Sequence, residues 1–186
     1  QPRESLYRFI GPPLHESYEK FYSFSREQAM QAVSYYREYY EEKGMFENEV
    51  YPGIKQLLRD LTKQGVLCLV ATSKPEIYAK KILDYYELSN YFYYIAGANM
   101  DGTRTDKAEV IAYALKQIPA EYSNKKVLMV GDRSHDIIGA KKNGIDCAGV
   151  LFGYGSSEEL EEAGADFVAD SVEAVRNIIL LDTAMN

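Results

Sequence analysis

Two aspartates follow an apolar run in the stretch VLMVGDRSHDIIGAKKNG, which begins at Val127. Asp132 comes directly after the run, and Asp136 lies about one helical turn farther on. A buried carboxylate is costly unless a cation lies beside it, and carboxylate oxygens are ligands that Mg²⁺ prefers. The stretch therefore predicts a metal site at which Asp132 binds the ion and Asp136 supports it.

Two further segments carry groups that suit a phosphate. Thr72 and Ser73 follow the apolar run VLCLVA, and Lys107 opens a predicted helix. Hydroxyl and backbone N–H groups bind phosphate oxygens, while a lysine neutralises charge that grows in the transition state. We therefore assign Thr72, Ser73 and Lys107 to phosphate binding. Catalysis is assigned to Lys107, Thr72 and Asp132.

Each fragment has a simpler interpretation when it is considered alone. Thr72 and Ser73 could merely end a strand, and Lys107 could be a solvated lysine in the first turn of a helix. Asp132 and Asp136 could be a helix N-cap and a surface acid. The occurrence of all three fragments in one α/β chain favours a phosphate and metal site.

The order of the predicted elements explains how these groups could meet. From Gly65 onward, short apolar runs alternate with helices, which predicts an α/β fold whose parallel sheet has helices on both faces. Such sheets bind ligands at the carboxyl ends of their strands. The expected strands are VLCLVAT, YFYYIAG, KVLMVGD, CAGVLFG and DFVAD, of which VLCLVAT is expected to be buried on both faces.

The first part of the chain predicts a helical unit instead. An apolar stripe begins at Leu14, and a second stripe follows a capping box formed by Ser25 and Gln28. We therefore divide the chain into a small α-helical domain at residues 1–48 and an α/β core domain at residues 49–186.

Charge, hydropathy and cysteine content argue against several classes of function. The 186 residues include 21 basic and 28 acidic side chains, and the net charge of −7 argues against nucleic acid or an anionic membrane as the partner. No run approaches the roughly 18 apolar residues of a membrane helix, and no signal-peptide pattern opens the sequence. We expect a cytoplasmic protein, either a monomer or a homodimer. Cys68 and Cys147 are expected to be reduced, buried thiols, and neither His15 nor His135 has metal-site spacing.

Three motifs together resemble those of a known family. VATSKP, TDKAEVI and GDRSHDIIGAKKNG are similar to the second, third and fourth motifs of the haloacid dehalogenase-like (HAD) phosphohydrolases. FIGPPL followed by YPGIKQLL resembles the phosphoglycolate phosphatase branch, in which the helical domain is a small cap. The resemblance covers essentially the whole chain. It implies a Rossmann-like core, a requirement for Mg²⁺, and an aspartate that attacks phosphorus to form a phosphoaspartyl intermediate.

The resemblance also implies a role for each matching residue. Thr72 would bind phosphate through its hydroxyl and Ser73 through its backbone N–H. Lys107 would contact the phosphate and the nucleophile, and Asp132 would bind the metal, with Asp136 as a supporting acid. The cap would close over the site and exclude water, with side chains between Phe9 and Leu14 near the substrate.

The family's nucleophile motif is where this sequence departs from the pattern. The first motif, DxDGT, ends an N-terminal strand, and no such strand precedes RESLYRFIGPPL. NMDGT is similar, but Asn99 stands where the attacking carboxylate should be, and Asp101-Gly102 predicts a turn. We therefore expect the nucleophile to lie upstream of Gln1 and the 186 residues alone to be inactive.

The absent motif also predicts a structural gap. In the family, its strand lies between the strand that ends at Thr72 and the one that ends at Gly131. Without it, these two strands would face a gap of about 9 to 10 Å with unpaired backbone groups on both sides. We expect that roughly 15 to 30 further residues precede Gln1, or that another segment fills the slot. Direct pairing of Val66–Ala71 with Val127–Val130 would contradict this expectation.

Two classes of function remain open from the sequence. The first is a Mg²⁺-dependent phosphohydrolase acting on a small phosphorylated metabolite, phosphoglycolate by resemblance, or alternatively a 5′-nucleotide or another phosphomonoester. The second is a non-catalytic protein of the same fold that binds an anion or a partner because it lacks the nucleophile. The three other motifs favour the enzyme.

Overall fold

The computed structural model describes residues 2–9 and 12–183. The chain divides into two compact units, residues 1–49 and residues 50–186. Within the described residues, no helix is long and apolar enough to cross a membrane.

The first unit is helical. Its elements are a 3-10 helix at Arg3–Phe9, helix α1 at Leu14–Tyr22, helix α2 at Arg26–Glu42 and a 3-10 turn at Gly44–Phe46. The predicted capping box is present, because the Ser25 hydroxyl accepts the Gln28 N–H at 3.2 Å and the Gln28 side chain accepts the Ser25 N–H at 2.9 Å. The Phe9 ring packs against the Tyr18 ring, with the two ring centroids 5.3 Å apart. Ile10 and Gly11, which belong to the segment expected near the substrate, lie outside the described residues.

The second unit alternates strands and helices, as the sequence predicts. Its elements are α3 (Ile54–Lys63), β1 (Leu69–Pro75), α4 (Glu76–Tyr85), β2 (Tyr94–Ala98), α5 (Lys107–Leu115), β3 (Leu128–Gly131), α6 (Ser134–Lys142), β4 (Asp146–Val150), α7 (Ser157–Glu162), β5 (Phe167–Ala169) and α8 (Val172–Thr183). All pairings between these strands are parallel. The predicted α/β fold class is therefore confirmed.

The strands form two separate sheets. β1 pairs with β2, while β4 lies between β3 and β5. In the described part of the chain, β1 and β3 are thus edge strands that do not pair with each other. Direct pairing of Val66–Ala71 with Val127–Val130, which would have contradicted the expected gap, is not found in these described residues.

The edge position of β1 changes its burial. The residues of β1 are half-buried apart from the exposed Lys74, and Val130 of β3 is 37% exposed. In β4, by contrast, Cys147 and the three residues after it are buried. VLCLVAT is therefore half-buried rather than fully buried within the described residues, because it pairs with β2 along one edge while its other edge is open. Cys147 is buried as expected, whereas Cys68 is half-buried, and both are free thiols.

Helices on the sheets supply the core. Leu57 and Leu61 of α3 pack with Val150, Ala169 and Val175. A second cluster joins α6, β4 and α7, and a third joins β2 to α5. These contacts hold the beginnings of α5 and α6 beside the carboxyl ends of the strands.

Candidate phosphate and metal site

Lys107 links the end of β1 to the start of α6. Its ammonium donates to the Ala71 carbonyl at 3.1 Å and lies 2.8 Å from Asp136 Oδ1. The lysine side chain is 14% exposed and the aspartate side chain 9%. Asp106 fixes the start of α5, because its carboxylate accepts two backbone N–H groups of the first turn. The lysine is therefore a largely buried cation rather than a solvated one.

Both carboxylate oxygens of Asp136 are occupied by protein donors. Oδ1 faces Lys107, and Oδ2 accepts the backbone N–H groups of Asp132 and Arg133, each at 3.1 Å. A Cβ on residue 131 would overlap the Asp136 side chain, so the close contact between Asp136 and the end of β3 requires glycine at position 131. Asp136 therefore holds the loop after β3 in place, which suits a supporting acid better than a direct metal ligand.

Asp132 keeps coordination capacity that Asp136 lacks. Its Oδ2 accepts the Tyr154 N–H at 2.9 Å, and the residue is half-buried. A Cβ on Gly153 or Gly155 would overlap Asp132, which is why the Gly153-Tyr154-Gly155 segment can lie so close. Oδ1 accepts no hydrogen bond from the described residues, and a carboxylate oxygen of this kind suits Mg²⁺.

The described residues contain no group of three or more His, Cys, Asp or Glu side chains able to hold a metal ion. Mg²⁺ commonly binds one or two carboxylates and takes its other ligands from water and substrate phosphate. The donor set at Asp132 fits that mode of binding, and it does not fit a closed cage of protein ligands.

Thr72 and Ser73 lie where β1 leaves its register. Thr72 is paired with Gly97, but the next paired residue is Pro75, so Ser73 and Lys74 form a bulge. The Thr72 hydroxyl oxygen accepts the Lys74 N–H at 3.2 Å, and its proton is available to donate to a ligand. Bulges near active sites redirect side chains and backbone groups out of the sheet ladder.

These contacts bring the three predicted fragments together. Hydrogen bonds and one ion pair run from the Ala71 carbonyl through Lys107 and Asp136 to the Asp132 N–H. The carboxyl ends of β1 and β3 therefore meet around one lysine, although the two strands belong to different sheets. The chemical roles of the individual residues remain predictions.

The NMDGT segment is a turn, as expected. The Asn99 N–H donates to the Thr103 carbonyl at 3.1 Å, and Gly102 has a φ of +85°. The Asp101 carboxylate accepts the hydroxyl and N–H of Thr103 at 2.7 and 2.9 Å, and these bonds hold the pKa of Asp101 below its usual value. The Asp101 carboxylate thus stabilises the turn by accepting hydrogen bonds from Thr103, which supports its exclusion as a nucleophile.

Sequence reasoning missed Glu159. Its Oε1 accepts Arg133 Nε at 2.9 Å and the Ser134 N–H at 2.8 Å. Burial acts to raise the pKa of Glu159, but the bonds from Ser134 and Arg133 outweigh it and leave that pKa lowered. The only signal in the sequence was the spacing of Ser156 and Glu159, which indicates a helix start.

Comparison with known proteins agrees with this geometry. A family model described as haloacid dehalogenase-like hydrolase matches residues 1–150. The chain belongs to this family. Its predicted fold and its likeness to the phosphoglycolate phosphatase branch of the HAD proteins are thereby confirmed, and the HAD family together with relatives named as phosphatases confirms the prediction of a phosphatase.

The HAD relatives carry several names. The chain is 39% identical to a 5′-nucleotidase of Pseudomonas aeruginosa over 94% of this chain and 78% of the relative. It is 37% identical to the tyrosine-protein kinase PtkA of Mycobacterium tuberculosis over 91% of this chain but only 58% of that protein. A phosphoglycolate phosphatase of Vibrio vulnificus is 28% identical over 92% and 75%. The crystal structure of a predicted phosphatase from Clostridium acetobutylicum matches with a TM-score of 0.88 and 44% identity, over 97% of this chain and 82% of that one.

Proposed function

We propose that this HAD protein is a Mg²⁺-dependent phosphatase that removes phosphate from a small phosphorylated metabolite through a phosphoaspartyl intermediate. It would act in the cytoplasm as a monomer or a homodimer. The observation that carries the proposal is the largely buried Lys107, which contacts the Ala71 carbonyl of β1 and lies 2.8 Å from Asp136 of α6, just after the end of β3. A fixed cation at the carboxyl ends of parallel strands is suited to a phosphoryl group.

Each predicted site residue has a role in this proposal. The Thr72 hydroxyl and the Ser73 N–H hold phosphate oxygens, and Lys107 offsets the negative charge that develops on the phosphoryl group. Asp132 would hold Mg²⁺, which when bound neutralises charge on the phosphate oxygens. The Asp136 carboxylate keeps Lys107 and the loop after β3 in place, because it accepts from the Lys107 ammonium and from two backbone N–H groups of that loop.

We further propose that the nucleophilic aspartate lies on a strand upstream of Gln1 that fills the slot between β1 and β3. Two half-buried edge strands whose carboxyl ends share one lysine support this position. The aspartate would attack phosphorus as the bond to the leaving oxygen breaks, and water would then hydrolyse the aspartyl phosphate to inorganic phosphate.

The substrate class is a phosphomonoester. Resemblance to the phosphoglycolate phosphatases suggests a small carboxylated phosphoester, whereas the higher identity to a 5′-nucleotidase supports a nucleoside monophosphate. The net charge of −7 supports a small metabolite over nucleic acid or a membrane surface as the partner.

A phosphatase screen of the full-length protein tests the proposal. Phosphoglycolate, nucleoside 5′-monophosphates and other small phosphoesters would be assayed with Mg²⁺ and with EDTA, and Asp132→Asn would serve as the inactive control. Mg²⁺-dependent release of phosphate is expected. No turnover on any ester, or transfer from ATP to a tyrosine peptide in its place, would contradict the phosphatase and favour a binding or kinase function.

A further inference from the structure

Glu159 lies at the start of α7 but does not complete the cap of its own helix. The Ser156 hydroxyl accepts the Glu159 N–H at 3.1 Å, so half of a capping box is present. In a complete box, the Glu159 carboxylate would return to the Ser156 N–H. It reaches instead to Arg133 and Ser134, about 25 residues earlier in the chain.

The neighbouring residue fixes where Glu159 can reach. Leu160 is fully buried among Ile137, Ala140 and Cys147, which joins α7 to α6 and β4. A Cβ on Gly149 would lie only 2.8 Å from the Leu160 side chain, so the helix sits close against β4. The Glu159 carboxylate is therefore presented to the loop after β3 from a firmly packed helix.

The same stretch of chain holds that loop from a second side. The Tyr154 N–H donates to Asp132 Oδ2 at 2.9 Å, and Gly155 packs against the Asp132 carbonyl. Asp132 is thus held at its carboxylate, while Ser134, two residues later, is held at its backbone by Glu159. Residues 153–159 consequently contact both ends of the segment from Asp132 to Ser134, through Tyr154 at Asp132 and through Glu159 at Ser134.

We infer that Glu159 is a positioning residue for Asp132, fixing the 132–134 segment so that the carboxylate points at the metal. The inference rests on the proposed function, which makes Asp132 the metal ligand. Glu159 acts through Ser134 and Arg133 and contacts neither substrate nor metal. Groups that orient a metal ligand typically change metal affinity about 10- to 100-fold when they are removed.

Two substitutions in the full-length protein test this inference. Glu159→Ala removes both bonds, whereas Glu159→Gln keeps an acceptor for Ser134 and loses the charge opposite Arg133. Glu158→Gln is the matched control, because Glu158 is an exposed acid on the same helix turn. Circular dichroism and thermal unfolding would establish that each variant is folded.

Two readouts would be measured, namely amide hydrogen exchange at Ser134 and the Mg²⁺ dissociation constant by calorimetry. Glu159→Ala should speed exchange at Ser134 by at least about tenfold and weaken Mg²⁺ binding by about tenfold or more, with Glu159→Gln between it and the control. A purely structural role would lower the melting temperature and leave the Mg²⁺ constant unchanged, which would overturn the inference.

The two proposals fail in different ways. If the wild type binds Mg²⁺ and hydrolyses phosphoesters but Glu159→Ala matches Glu158→Gln in both readouts, the positioning role is wrong and the phosphatase stands. If the wild type binds no Mg²⁺, the proposed function fails. Exchange at Ser134 then decides whether Glu159 holds the segment at all.

Discussion

The ammonium of Lys107 lies 2.8 Å from Asp136 Oδ1 and 3.1 Å from the Ala71 carbonyl, so one side chain connects two sheets that share no strand pairing within the described residues. Both partners of the ion pair are nearly buried. Replacing one partner of such a pair strongly destabilises the folded protein, because the remaining charge is then nearly buried without a compensating partner.

Replacement of Lys107 by alanine should therefore lower the free energy of unfolding of the full-length protein by about 3 to 5 kcal/mol. Loss of the cation should also abolish most turnover. Urea denaturation followed by circular dichroism checks the stability effect. Lys116→Ala is the control, since Lys116 is an exposed lysine just after the same helix. Equal urea midpoints for the two variants would show that the buried pair is unimportant.

Asp132→Asn and Asp101→Asn should behave differently, although each removes one carboxylate. Asparagine at 132 should weaken Mg²⁺ binding and abolish turnover, because it removes the proposed ligand charge. At 101 it should change kcat little, because Asp101 bonds only within its turn in the described structure. Steady-state kinetics with a Mg²⁺ titration separates the two, and comparable losses would refute the choice of acids.

Gly155→Ala should displace Asp132, because the new Cβ would overlap the Asp132 carbonyl oxygen. The free energy of unfolding should fall by about 1 to 3 kcal/mol, and the Mg²⁺ dissociation constant should rise. Gly144→Ala is the comparison, since Gly144 has a φ of +67° but an added Cβ would meet nothing within 4 Å. That variant should lose stability without any change in Mg²⁺ binding. Identical Mg²⁺ constants for both variants would contradict the close approach at Asp132.

Acid should weaken the packing of β4 through Asp166. The bond from Lys141, followed by the N–H of Cys147, holds the pKa of Asp166 below its usual value. Because the folded-state pKa is the lower one, this stabilisation is complete above an unfolded value of about 3.9 and is lost as the pH falls through the folded value. Asp166→Asn, which cannot titrate at this position, should therefore lose less stability than wild type as the pH falls from about 4 through the folded pKa of Asp166.

Thermal unfolding at a series of pH values makes this comparison. Asp170→Asn is the control, because Asp170 is an exposed acid that directly follows β5, the strand that Asp166 directly precedes. A wild-type profile that coincides with that of Asp166→Asn would show that the Lys141 contact does not stabilise the fold.

The meeting of Lys107 with the GDRSHD segment was predictable, because parallel strands place their carboxyl ends at one edge and each fragment follows a strand. The open edge of β1 on the β3 side was predicted from the family resemblance, whereas the apolar run alone predicted full burial, because it does not report whether a strand lies at that edge. Tyr154 was missed because a backbone N–H has no side-chain signature. Glu159 was missed because its partners lie 25 or 26 residues away, beyond any periodic pattern.

A crystal structure of the full-length protein with Mg²⁺ and a phosphate analogue such as orthovanadate would test directly whether Thr72, Lys107 and Asp132 form one phosphate and metal site. The anion is expected on the Thr72 hydroxyl and the Lys107 ammonium, and Mg²⁺ is expected on the Asp132 carboxylate. An anion bound away from the ends of β1 and β3, or a metal ion that leaves Asp132 without contact, would contradict that arrangement.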